Sequence, residues 1–188
     1  PNMPAWGGKD AKLGNNPIVF AVPHGDEPVL LDVAMSMFSY GKLEKLKREG
    51  KETPVDGGYN KSGEVTRNPE EILETHQVFP IGFWKGSGLS LVLDLIAASV
   101  AGGNTSRIVG TLPTETELSQ FFMAIDLSKF PDRNRINEEI NRTLDDMRNS
   151  IPMDANHPVH APGDGTRKTR EESMRDGILV DEGIWKSV

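Results

Sequence analysis

Phe83-Trp84-Lys85-Gly86-Ser87-Gly88 runs directly into the apolar stretch Leu89 to Ala101. Glycines, a lysine and a hydroxyl at the mouth of an apolar helix are equipment for holding an anion. The free N–H groups of a helix N-terminus carry partial positive charge. Gly86 and Gly88 let the backbone approach closely, Ser87 can cap the helix or bond a ligand, and Lys85 adds a full charge. The order K-G-S-G is not that of a P-loop. The dinucleotide fingerprint G-x-G-x-x-G fails at its third glycine, with no acidic residue evidently placed to take the ribose. Spacing alone leaves two readings open: an anion site, or a glycine-rich lead-in to a tightly packed helix.

Other residues carry the same ambiguity. Asp32 lies within the apolar run Val29 to Met35. A carboxylate there either hydrogen-bonds a ligand or sits on the outer face, because burying it unpaired is costly. Ala161-Pro162-Gly163-Asp164-Gly165-Thr166 precedes a helical pattern, so Asp164 or Thr166 caps that helix or the backbone meets a ligand. Trp6 and Trp84 offer aromatic faces to a planar ring or pack in the core. Of His24, His76, His157 and His160, the last two are flanked by Pro158 and Pro162 and share no helix face. No further ligands at metal-site spacing accompany them, and they read as loop or surface residues.

These residues need elements to position them. Ile18 to Val22 and Val29 to Met35 read as strands joined through the turn Pro23 to Pro28. Ser36 to Glu49 follows helical logic and stops at Gly50. Residues 51 to 70 read as a polar surface excursion, ending in Asn68-Pro69-Glu70-Glu71, which can open a helical turn. His76 to Phe83 reads as extended. Leu89 to Ala101 is apolar almost all round, which predicts a helix buried on most sides. Ser119 to Asp126 reads as a strand. Pro131 to Ile151 repeats Ile136, Ile140, Leu144, Met147 and Ile151 at helical spacing, with Asp132 as cap. Thr166 to Arg175 reads as a charged helix closed by Gly177. Ile178 to Val180 reads as a short strand, and Asp181 as the cap of a last turn containing Trp185. Together they predict an α/β layered domain with a mixed, largely antiparallel sheet packed by helices.

The 188 residues suit one domain with a core of its own. The net charge is -7, and Lys and Arg are scattered, which argues against a nucleic-acid partner. The absence of cysteine excludes disulfides and a thiol nucleophile and is compatible with a reducing cytoplasm. Leu89 to Ala101, broken by Ser90, Asp94 and Ser99, reads as too short and too polar for a bilayer. No signal-like segment opens the chain. The start at Pro1 reads like the middle of something longer.

Five segments occur in an order that resembles the non-Rossmann malate/L-lactate dehydrogenase family: LGNNPIVFAVP (13–23), LLDVAMSMFSYGKLE (30–44), PVDGGYNKSGEVT (54–66), FPIGFWKGSGLSLVLDLIAA (79–98) and QFFMAIDLSKF (120–130). MSMFSYG and GFWKGSG are the most specific pieces, and point to the branch reducing a diketo acid. The resemblance covers essentially the whole chain. It implies reversible hydride transfer between NAD(H) and a 2-keto or 2-hydroxy acid, with a small-molecule keto acid as substrate. It implies cofactor contacts from the strand Pro28, Val29, Leu30, Leu31, Asp32, Val33 and Ala34, from Trp84 and Lys85, and from Gly163, Asp164 and Gly165. It implies a homodimer, and the expectation from composition and histidine spacing is a cytoplasmic protein without a metal.

Two local departures accompany it. The family commonly has G-T-N-P at 14–17 and P-G-E at 162–164, where this chain has G-N-N-P and P-G-D. The family's Ser-His-Gly acid and the arginine after it match nothing here. The expectation is therefore a C-terminal, cofactor-binding portion of a longer reductase, with the catalytic acid outside it. A reading of another class is a stand-alone nucleotide-binding or interaction module that keeps the fold without the chemistry. A phosphotransferase is disfavoured, since no base or metal carboxylate pair presents itself.

Overall fold

The computed structural model describes residues 1–25, 28–178, 180 and 182–187. They form an α/β arrangement with seven α-helices and three two-stranded sheets. The chain divides into two compact units: Pro1–Ile18 with Asp32–Ala124, and Val19–Leu31 with Ile125–Val188.

The first unit opens with β1 (Met3–Pro4) paired antiparallel to β2 (Ala11–Leu13). Helix α1 (Tyr40–Arg48) starts where the Ser39 hydroxyl accepts the Lys42 amide, so Ser36 to Phe38, expected as helix, lie outside it, with Ser36 in a bridge to Pro80 and a bend after it. Residues 51–70 are more than a surface excursion. They hold the antiparallel pair β5 (Gly58–Tyr59) and β6 (Val65–Thr66), and they bury Thr53 completely. The Thr53 hydroxyl donates to the carbonyls of Val55 and Arg67, which is why a polar side chain is tolerated there. The expected helical turn is α2 (Pro69–Thr75), with Asn68 capping the Glu70 amide and proline in the first turn. Met3, Leu13, Met35, Leu43, Ile72 and Val78 form the core, with Phe38, Tyr40 and Leu93 packed around them.

Helix α3 (Trp84–Ala101) starts five residues before the apolar run, and α4 (Ser106–Val109) follows it. At that length α3 is, by length and composition, long and apolar enough to cross a membrane, which the shorter run is not. Its burial also departs from expectation: Leu91, Val92, Leu95, Ile96 and Val100 are exposed, and only Gly86, Ser90 and Ala98 are buried. The polar residues anchor the packed side. Ser90 donates to the Gly14 carbonyl, and Asp94 accepts the amide and hydroxyl of Ser106. Ser119 to Asp126, expected as a strand, form none: residues 120–126 are irregular and exposed, and a parallel bridge between Asn104 and Leu118 lies nearby. High β-propensity makes no strand without a neighbour to bond.

In the second unit β3 (Ile18–Val22) pairs with β4 (Val29–Val33), and the bases of both strands lie in the first unit. Asp26 and Glu27, within the expected turn, lie outside the described residues, as do Leu179 and Asp181 of the expected last strand and cap. Helix α5 (Arg133–Arg148) carries Ile136, Ile140, Leu144 and Met147 of the expected stripe, with Leu144 buried, and ends short of Ile151, which is exposed. Asp132 precedes it in a left-handed conformation and makes no side-chain cap, contrary to expectation. Helix α6 (Asp164–Asp176) ends at Gly177, and α7 (Glu182–Ser187) contains Trp185.

Candidate functional site

The strand that carries Asp32 leads into Met35, where it meets the segment that feeds α3. Ile81 donates its amide to the Met35 carbonyl at 2.8 Å, and Met37 donates to Phe79 at 2.7 Å. The chain then turns sharply. Gly82 has a φ of 58°, and Phe83 follows with φ 59° and ψ −117°, a conformation sterically costly for a side-chain-bearing residue. The Phe83 ring leans on Trp6 at 4.8 Å between centroids, and Trp6 stands edge-on to Phe79 at 5.7 Å. Aromatic packing therefore holds the elbow that starts α3.

This geometry sorts the residues of FWKGSG. Gly86 is required by contact, since a Cβ there would run into the Ile81 carbonyl, whereas Gly88 faces open space. Ser87 does not cap the helix. Phe83 occupies the cap position, and the Ser87 hydroxyl accepts the Trp6 amide at 3.1 Å. Trp84 is 68% exposed. Lys85 is exposed, with no ion-pair partner among the described residues, and Asp32 is likewise exposed without a side-chain partner among them. In the first unit, then, an indole face, a free cation and a free carboxylate are displayed on segments tied by the Met35–Ile81 ladder.

The G-N-N-P loop is structural. Asn15 Oδ1 accepts from the Ser36 amide and hydroxyl, the latter at 2.7 Å. Asn16 Nδ2 donates to the Ser90 carbonyl at 2.9 Å and to its hydroxyl at 3.1 Å. Asn15, the departure from the family pattern, ties this loop to the end of the Asp32 strand.

In the second unit Gly163 comes against β4. Its φ is 97°, and a Cβ there would lie 3.4 Å from the Leu30 nitrogen and 3.6 Å from the Leu30 oxygen. Asp164 is the first residue of α6, and Gly163, not Asp164 or Thr166, stands at the cap. The Asp164 carboxylate accepts from Arg148 Nη2 at 2.8 Å, from Arg148 Nε at 3.1 Å and from the Ala161 amide at 2.9 Å. The Arg148 hydrogen bonds, helped by the Ala161 amide, hold its carboxyl down at about 2. Arg148, held cationic by the same contact, is the residue that sequence reasoning missed. The Asp164 carboxylate is thus engaged by the protein itself. Gly165 and Pro28 are exposed, and Val29 is half-buried.

His24 Nε2 lies 2.6 Å from Asn141 Oδ1 and His157 Nδ1 lies 2.7 Å from Asp154. Among the described residues no group of three or more His, Cys, Asp or Glu is placed to hold a metal ion.

Residues 1–188 match the family model described as malate/L-lactate dehydrogenase. The chain is 38% identical over 188 residues to 2,3-diketo-L-gulonate reductase of Klebsiella pneumoniae (strain 342), covering 99% of this chain and 56% of that protein. It resembles the solved sulfolactate dehydrogenase of Methanocaldococcus jannaschii with a TM-score of 0.83 at 26% identity, over 98% of this chain and 53% of that one. The malate dehydrogenase of Pyrococcus horikoshii OT3 gives 0.79 at 28% identity, over 98% and 51%. The chain thus spans about half the length of the curated relatives it matches.

Proposed function

This chain belongs to the malate/L-lactate dehydrogenase family, and we propose that it is the cofactor-binding portion of an NAD(H)-dependent reductase that turns a 2-keto acid into a 2-hydroxy acid, with 2,3-diketo-L-gulonate as substrate. The observation that carries this reading is the pairing of exposed Trp84 with Lys85, a cation unpaired among the described residues, in the first turn of α3.

The donor set suits a nicotinamide dinucleotide. Lys85 neutralises phosphate charge beside the helix N-terminus. Trp84 gives a flat apolar face to a planar ring. Asp32 accepts hydrogen bonds from ribose hydroxyls, and backbone groups of Pro28 to Ala34 line the same strand. Gly163 and Gly165 let backbone come close where a side chain would intervene. When bound, the dinucleotide would supply the hydride for the keto carbon. The proton for the substrate oxygen is commonly worth ~10²–10⁴-fold in rate. No histidine here stands in a Ser-His-Gly sequence, so the acid belongs to the remaining length of the protein and the 188 residues alone do not turn over. The exposed apolar side of α3 supports a homodimer, and the lack of cysteine suits a cytoplasmic protein.

The test is Lys85→Ala in the complete protein, titrated with NADH by fluorescence. We expect affinity to fall by about tenfold, the loss of one charge-assisted contact. Unchanged affinity removes Lys85 from the site.

A further inference from the structure

We propose that Arg148 is a positioning residue that sets the closeness of the Gly163 loop to β4; this rests on the reading that Gly163 to Gly165 meet the dinucleotide. Helix α5 ends at Arg148 and α6 begins at Asp164. Each charge sits where its helix dipole favours it, the cation at a C-terminus and the carboxylate at an N-terminus. Two parallel N–H···O bonds join them, the arrangement in which guanidinium and carboxylate bind most strongly. The pair closes the loop 149–163 and pins its last turn, since the same carboxylate also holds the amide of buried Ala161.

Gly163 is thereby fixed at a positive φ with its Cα turned toward the Leu30 backbone. Asp164 has both oxygens engaged by three protein donors, so its part in cofactor binding runs through loop geometry. The hydrogen bonds and ion pairs of Arg148 among the described residues go to Asp164 and Asp145, and none goes to the cofactor strand or the glycines. Its effect on binding is therefore a matter of preorganisation. Lysine in its place keeps the charge but loses the two-pronged contact.

The experiment measures NADH affinity, keto-acid KM, kcat and amide exchange across residues 161–165 in the complete protein. It compares the parent protein with Arg148→Ala and Arg148→Lys. We expect Arg148→Ala to weaken NADH binding by about tenfold, to speed exchange in 161–165 and to leave the keto-acid KM within about twofold. Arg148→Lys should recover part of the NADH affinity. Equal NADH affinity in the parent and Arg148→Ala overturns the clamp. So does a parallel loss of cofactor and keto-acid binding with faster exchange everywhere, in both variants. Failure of the parent protein to bind NADH overturns instead the reading on which the clamp rests.

Discussion

Ile81 donates its amide to the carbonyl of Met35 at 2.8 Å, and this bond ties the strand bearing Asp32 to the elbow bearing Lys85. The elbow closes only because position 86 has no side chain. Gly86→Ala should destabilise the protein by about 1–3 kcal/mol, the usual cost of overpacking. Gly88→Ala, two residues on in the same helix and facing open space, should stabilise it by about 0.5–1 kcal/mol. Denaturant midpoints of the two variants check this, and equal shifts would refute the contact.

Tyr40 gives the protein a base-sensitive point. Burial pushes its phenol up from 10 to about 12, and its hydroxyl donates to the Asn2 carbonyl at 2.6 Å. The folded chain keeps this proton to higher pH than the unfolded chain does. Its stabilising contribution is therefore complete below the unfolded value of 10 and is lost as pH rises toward 12. Tyr40→Phe should cost about 1 kcal/mol at neutral pH and flatten the decline across that alkaline window. Unfolding curves at neutral and strongly alkaline pH decide it.

Leu95 lies 48% exposed on the apolar side of α3. If a second copy covers that side, Leu95→Glu places a charge in an apolar contact and should convert a dimer to a monomer. Sedimentation equilibrium of the complete protein reads the mass directly. A dimer that survives the substitution takes α3 out of the subunit contact.

The hairpin β3–β4 and the helical turn opening at Asn68-Pro69 were legible because their signals are local: β-branched runs, turn residues, a proline in a first helical turn. The Ser39 cap was not legible, and the pattern places the start of α1 four residues early, at Ser36. The aromatic brace from Trp6 to Phe83 was not legible either, since the residues lie far apart in sequence and neither pattern nor composition pairs them. Arg148 went unnoticed for the same reason, as one arginine at the end of a charged helix. The exposed side of α3 shows the opposite failure. An all-round apolar helix implies cover on all sides, but periodicity does not say what supplies the cover. The strand expected over Ser119 to Asp126 failed likewise, because strand formation depends on an available partner as much as on side-chain type.

The chain passes between its two units at Ile18–Val19, at Leu31–Asp32 and at Ala124–Ile125. No single cut separates them. A truncation beginning at Ile125 would leave behind the hairpin that supplies Val29 and Leu30 to the second unit. To study that unit alone, Val19–Leu31 would have to be spliced ahead of Ile125 with a linker, and the first unit would need its own bridge from Ile18 to Asp32.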